Sequence, residues 1–218
     1  MKDRIRSFLV FTTLGYRILA FVVVPVLGIW AGHLLAKKLM LPGYLMTAYL
    51  LVPIEIMLDH FVFGGICAKG VSHLEYLKCS KKGEWVVHNA LVGGMVRILL
   101  TMLMVFLGNQ ISLQILYPDA GYSYNAVLVP IALLLSSFAV IMLGATIGRF
   151  FDSMPIYYLL ATAGAALETA MMYLVEKHVY LGFALSAVLA VGMGILSEKI
   201  GMRHIKESYH DKTVTDGI

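Results

Sequence analysis

The chain has 218 residues, 60% of them hydrophobic and only 14% charged, with a formal net charge of +4. A mean hydropathy of +0.83, carried by apolar runs of about 17 to 25 residues, excludes a water-soluble core and points to helices that cross a membrane. The positive balance is read as membrane topology and attraction to anionic lipid, and nucleic-acid binding is not expected. Backbone polar groups inside a bilayer must be satisfied within each segment, so the expected fold is an all-α, polytopic membrane protein forming one domain, 1–218.

In chain order, residues 1–13 come first. Ile5, Phe8, Leu9 and Thr12 follow helical spacing while Lys2, Asp3 and Arg6 fall off that stripe, which predicts a short interfacial amphipathic helix. The apolar stretch from Ser7 to Leu35 is longer than the roughly 20 residues one crossing needs, so the alternative is a single long tilted helix. No small-residue cleavage site follows MKDRIRSF, and the segment is read as retained. Six spans are expected near 14–35, 42–64, 86–107, 125–147, 156–175 and 180–197. Pro25 is expected to kink the first, and Pro155 to open the fifth in its first turn.

Lys and Arg decide the orientation. Lys2, Arg4 and Arg6 precede the first span, Lys69, Lys78, Lys81 and Lys82 separate the second from the third, and Lys199, Arg203, Lys206 and Lys212 fill the 198–218 tail. The alternate connections hold only Lys37, Lys38 and Lys177, so both termini and the middle segment are expected to be cytoplasmic in a plasma-membrane protein. Gly108 to Tyr124, with Tyr117, Tyr122 and Tyr124, then reads as an external loop. Cys67 and Cys79 face a reducing compartment, and a structural disulfide is not expected.

Ionisable groups within spans are costly and should meet protein, water or a partner. Glu55 and Asp59 lie one helical turn apart on one face of the second span, His60 is beside them, and Arg97 follows Gly93-Gly94 in the third. Arg97 is expected to pair with Glu55 or Asp59. Glu168, inside AGAALETAMM, is the most isolated acid and is expected to meet Arg17, to snorkel poorly toward the interface, or to hold a proton. These six residues make a polar clasp between helices or line a translocation path. Thirteen methionines and the small residues Gly164, Ala165, Ala166, Gly182, Gly192 and Gly194 suit close helix packing.

Between the second and third spans, Ser72-His73-Leu74-Glu75 fits a capping box, Val71, Leu74 and Leu77 share one side, and Gly83 is a plausible stop before Glu84 opens the next helix. A short amphipathic cytoplasmic helix over 71–84 is expected, and at about ten residues it must lean on lipid or on another protein. The run Leu74 to Trp85 followed by Val86-Val87-His88-Asn89-Ala90-Leu91, together with the order of spans, resembles the permease subunit of ABC-2 type exporters. The resemblance implies a coupling helix, with Val71, Leu74, Glu75, Leu77, Lys78, Lys81, Lys82 and Glu84 seated on a separately encoded ATPase that binds ATP-Mg. It also implies a homodimer, or a heterodimer with a second permease, moving a peptide or lipid-like substrate. Ser80 stands where the family often has proline, and Glu176 to Val179 leaves no room for re-entrant helices, so an outer gate would be built differently.

No HExxH, GxSxG or Walker-type phosphate loop occurs, so neither a zinc site nor a nucleotide site is expected in this chain, and no bound cofactor. Other readings are an ion-coupled transporter using the intramembrane carboxylates, a non-transporting membrane partner or immunity protein, and an intramembrane enzyme built on Glu55, Asp59 and His60.

Overall fold

The computed structural model describes residues 2–39, 50–64, 81–117, 125–151 and 153–215, and these are helical almost throughout, with no strand among them. The first helix, α1 (Lys2–Val10), ends at a break over Phe11 to Thr13. Thr13 then caps α2 (Leu14–Ile18), its hydroxyl accepting from the Tyr16 N–H at 3.2 Å. Arg17 reaches back across the break. Its Nε donates to the Thr12 hydroxyl at 3.0 Å and its Nη2 to the Leu9 carbonyl at 2.7 Å, satisfying the orphan end of α1 with a cation.

α2 runs through a π-helical turn, Leu19–Val23, into α3 (Val24–Leu39). Pro25 cannot donate to the preceding turn, and the widened turn stands directly before it. Residues 50–64 comprise the end of the second apolar run, with α4 (Val52–Asp59), which has proline in its first turn, and a π-helical turn, His60–Gly64. Four long helices follow: α5 (Lys81–Leu116), α6 (Asn125–Phe151), α7 (Met154–Lys177) and α8 (Val179–Thr215). Pro155 lies in the first turn of α7, as its sequence position predicts.

Five helices among the described residues are long and apolar enough to cross a membrane: Leu14–Lys38, Lys82–Leu116, Val127–Arg149, Met154–Lys177 and Val179–Arg203. The polarity of the bundle is inverted relative to a soluble protein. Glu55, Asp59, Arg97, Arg149 and Glu168 are buried, while Val22, Trp30, Leu159, Val188, Val191 and Ile195 face outward. This is a helical membrane protein.

Glycines set the crossings. α3 runs parallel to α5, with Gly28 against Val105, Gly32 against the Asn109 amide and Gly108 receiving Ile29. At the far end Tyr117 donates to the Ala36 carbonyl at 2.8 Å. The 50–64 segment runs antiparallel to α5, bringing Phe63 to Gly94, and Ile56 lies in the gap left by Gly144 of α6 and Gly164 of α7. Gly182 lets the single-residue connection at His178 fold α8 back on α7, since a Cβ there would lie 2.8 Å from Val175 Cα. A Cβ at Gly192, by contrast, would meet nothing within 4 Å among the described residues, so this glycine sets no crossing between the described helices.

Four expectations change. Gly83 does not end a helix and Glu84 does not start one: α5 is continuous from Lys81, and at 36 residues it is about 54 Å long, well beyond a hydrocarbon core of about 30 Å. Residues 108–116 belong to that helix and not to a loop. The last helix likewise continues past the expected end at 197 to Thr215. The α1 stripe also covers protein: Phe8 is 1% exposed, and the backbone at Arg4 abuts Gly93 of α5.

Because the crossing at Gly93 leaves no space for a side chain, Gly93→Leu should cost about 1–3 kcal/mol of stability through overpacking. Gly192→Leu should leave stability unchanged, and thermal unfolding of the two variants in detergent measures the difference.

Candidate functional site

Among the described residues the buried charges form two separate clasps and one outlier. Arg97, on α5, is 3% exposed and faces Glu55, which is fully buried. Its Nη1 donates to Glu55 Oε1 at 3.0 Å and its Nη2 to Oε2, a two-pronged fit that only a planar guanidinium makes with a carboxylate. Gly93 and Gly94 admit the aromatic roof over this pair: the Phe8 and Tyr16 rings lie 6.0 and 5.9 Å from the Arg97 guanidinium carbon. The expected pairing of Arg97 is therefore made with Glu55.

Asp59 has a different partner. Arg149, near the end of α6 and 2% exposed, donates through Nε to Asp59 Oδ2 at 2.8 Å and through Nη2 to Oδ1 at 2.6 Å. It also reaches the Ser197 hydroxyl of α8 at 3.3 Å and packs 4.6 Å from the Phe63 ring. Sequence reading missed Arg149 because the fourth span was expected to stop at 147, which put this residue in the interface. A second missed signal was the pair of small-xxx-small motifs, Gly28/Gly32 and Gly144/Gly148, which mark close helix crossings.

His60 turns away from Asp59, as adjacent helical positions must, and its ring stands 4.5 Å from that of Tyr157, itself accommodated by Gly148. Glu168 does not meet Arg17. Arg17 is spent on the α1 break, whereas Glu168 is fully buried, with Oε1 2.7 Å from the Ser136 hydroxyl and 2.8 Å from the Ser137 hydroxyl. Its Oε2 has no hydrogen-bond partner among the described residues. At one end of the bundle His88 Nδ1 and Glu198 Oε1 approach to 3.3 Å, a half-exposed link between α5 and α8.

Of the coupling-type residues, Val71, Leu74, Glu75, Leu77 and Lys78 lie outside the described residues. Lys81, Lys82 and Glu84 belong to the first turn of α5, where Lys82 is exposed. Among the described residues no group of three or more His, Cys, Asp or Glu side chains could hold a metal ion. Comparison with protein-family models, with characterised proteins and with solved structures finds no match.

Chemically, both clasps are closed: each carboxylate oxygen that faces an arginine is used. Their physical effect is to tie α4 to α5 at one level and to α6 at the next. Removing one partner strands a buried charge, so Arg97→Ala should destabilise by about 3–5 kcal/mol, whereas Glu55→Leu with Arg97→Met should restore or exceed wild-type stability. Reversible unfolding in mixed micelles, run as a double-mutant cycle, reads this out.

Proposed function

We propose that the chain is the permease subunit of an ABC-2 type exporter, with six spans and with both termini and the 71–84 segment on the cytoplasmic side. It acts as a dimer with a separately encoded ATPase, which supplies ATP-Mg hydrolysis for moving a peptide or lipid-like substrate. The observation that carries this reading is the Arg97–Glu55 clasp, because it joins the two helices that flank residues 65–80. A force applied to that segment by a partner is then delivered to both helices together, and one side cannot give way alone.

The rest of the frame suits transmission. α5 is a single rod of about 54 Å, α1 is seated on it at Gly93, and α3 is seated at Val105 and Asn109. The His88–Glu198 contact ties the same end of α5 to α8. A displacement of the first turn of α5 therefore carries α1, α3 and α4 with it, the rigid-body movement that alternating access requires.

Two experiments test this. The tagged chain, purified from its native cells, should bring down a separate ATPase subunit, and a Leu74→Asp, Leu77→Asp double variant should lose that partner while keeping its own thermal stability; recovery of no ATPase with the wild type, or full retention by the variant, overturns the docking assignment. The folded Glu55→Leu, Arg97→Met variant should keep the ATPase but lose at least tenfold in ATP-driven substrate export from cells, and undiminished export would show that the clasp transmits nothing.

A further inference from the structure

Charge accounting sets the question. The buried carboxyl and cationic side chains among the described residues are Glu55, Asp59, Arg97, Arg149 and Glu168, three acids against two cations. Both cations are committed, Arg97 to Glu55 and Arg149 to Asp59. Glu168 is left on α7 with only hydroxyls around it, and a bare carboxylate in such a place is the costliest arrangement available.

Hydrogen accounting sharpens it. The Ser136 oxygen lies 3.0 Å from the Leu133 carbonyl and 2.7 Å from Glu168 Oε1, yet a serine hydroxyl has one proton to give. If that proton goes to the Leu133 carbonyl, the short contact to Oε1 needs a second proton, and the only group able to supply it is the carboxyl itself. Glu168 Oε1–H then donates to Ser136 Oγ, and Ser137 donates to the remaining lone pair of Oε1. If the carboxyl loses its proton, Ser136 turns to donate to Oε1 and leaves the Leu133 carbonyl. Both patterns use the same heavy-atom positions.

We propose that Glu168, Ser136 and Ser137 form a proton-binding site in the core of the bundle, with the Ser136 hydroxyl switching between Leu133 and Glu168 as the proton is released and taken up. On release the Glu168 Oε1–H bond breaks and the proton passes to water, and on uptake the bond re-forms with a proton from water, so one proton per chain is exchanged, with no bond to carbon changed and no electron moved. A metal cation does not suit the same place. One carboxylate and two hydroxyls supply too few oxygens, and the adjoining cavity of about 100 Å³ offers no others: its wall is apolar apart from Ser136, with Val140, Met171 and Leu189 among the lining side chains.

The ionisable groups on the elements packed against α7 do not compete. Glu55 and Asp59 of α4 and Arg149 of α6 are held in their clasps, His60 lies against Tyr157, and Glu198 of α8 is held by His88. Only Ser136 and Ser137 come within hydrogen-bonding distance of the Glu168 carboxyl among the described residues. The site does not depend on the exporter reading, since a bound proton can serve either an ATP-driven cycle or an ion-coupled one.

Infrared difference spectroscopy on the purified full-length chain in lipid tests it. The wild type should show a neutral-carboxyl stretch that shifts in D2O, is lost on alkaline titration and returns on acidification, with one proton released per chain. Glu168→Gln should lack that band and that proton. Ser136→Ala should move the band by removing the acceptor, and it keeps the test decisive if the Gln variant fails to fold. Absence of the band at every pH where the protein is folded overturns the proposal. So does a band that never titrates, which marks a sealed structural acid, and so does its displacement by sodium or potassium at fixed pH.

Discussion

The bundle depends on one short helix carrying two carboxylates one turn apart, each taken by an arginine from a different neighbour. Glu55 binds Arg97 of α5, and Asp59 binds Arg149 of α6. Neither contact gains much net energy, because desolvating the charges offsets most of the attraction. Their force lies in the alternatives. Once four charges sit inside a helical membrane protein, any register of α4 that separates them strands ions in a medium that cannot solvate them, so a single register survives. Apolar packing alone would tolerate sliding, since Leu, Val and Ile side chains interdigitate almost as well one turn along.

Around that pinned segment, glycines decide how near the other helices come. Ile56 occupies the space that Gly144 and Gly164 leave, and Tyr157 the space that Gly148 leaves, so α4, α6 and α7 meet at close range beside the clasps. Through Arg97 the same clasps reach α5, which serves as a spine: α1 lies across it at Gly93, and α3 runs along its second half from Val105 onward. The aromatic roof of Phe8 and Tyr16 over Arg97 couples the two ideas, because the N-terminal helix closes over the clasp that holds α4. α1, α3 and α4 are thus all in contact with α5.

Glu168 stands apart from this scheme. It lies between α6 and α7 with no cation beside it among the described residues, and the hydroxyls that meet it can serve as donors or acceptors. A group needed only to hold two helices together would be served as well by an amide, which asks for no proton and offers more hydrogen bonds. An acid at this position brings a capacity that the two clasps lack, namely to change charge without a change of fold.

The sequence by itself determined that the chain is helical and membrane-embedded, because hydropathy over a span is a sum and does not depend on which neighbours are present. It determined that Arg97 and the second-span acids had to find partners, because an isolated charge is excluded there whatever the packing. It could not say which acid met which arginine. Glu55 and Asp59 share a face and look equivalent along the chain, and only the positions of α5 and α6 on either side of α4 separated them. Arg149 was hidden by a boundary: in a hydropathy profile a cation two residues beyond an apolar run reads as interfacial, and only the folded helix, continuing to Phe151, drew it inside. The contacts of Glu168 were decided by tertiary structure for the same reason, since serine hydroxyls on a neighbouring helix leave no trace in linear spacing.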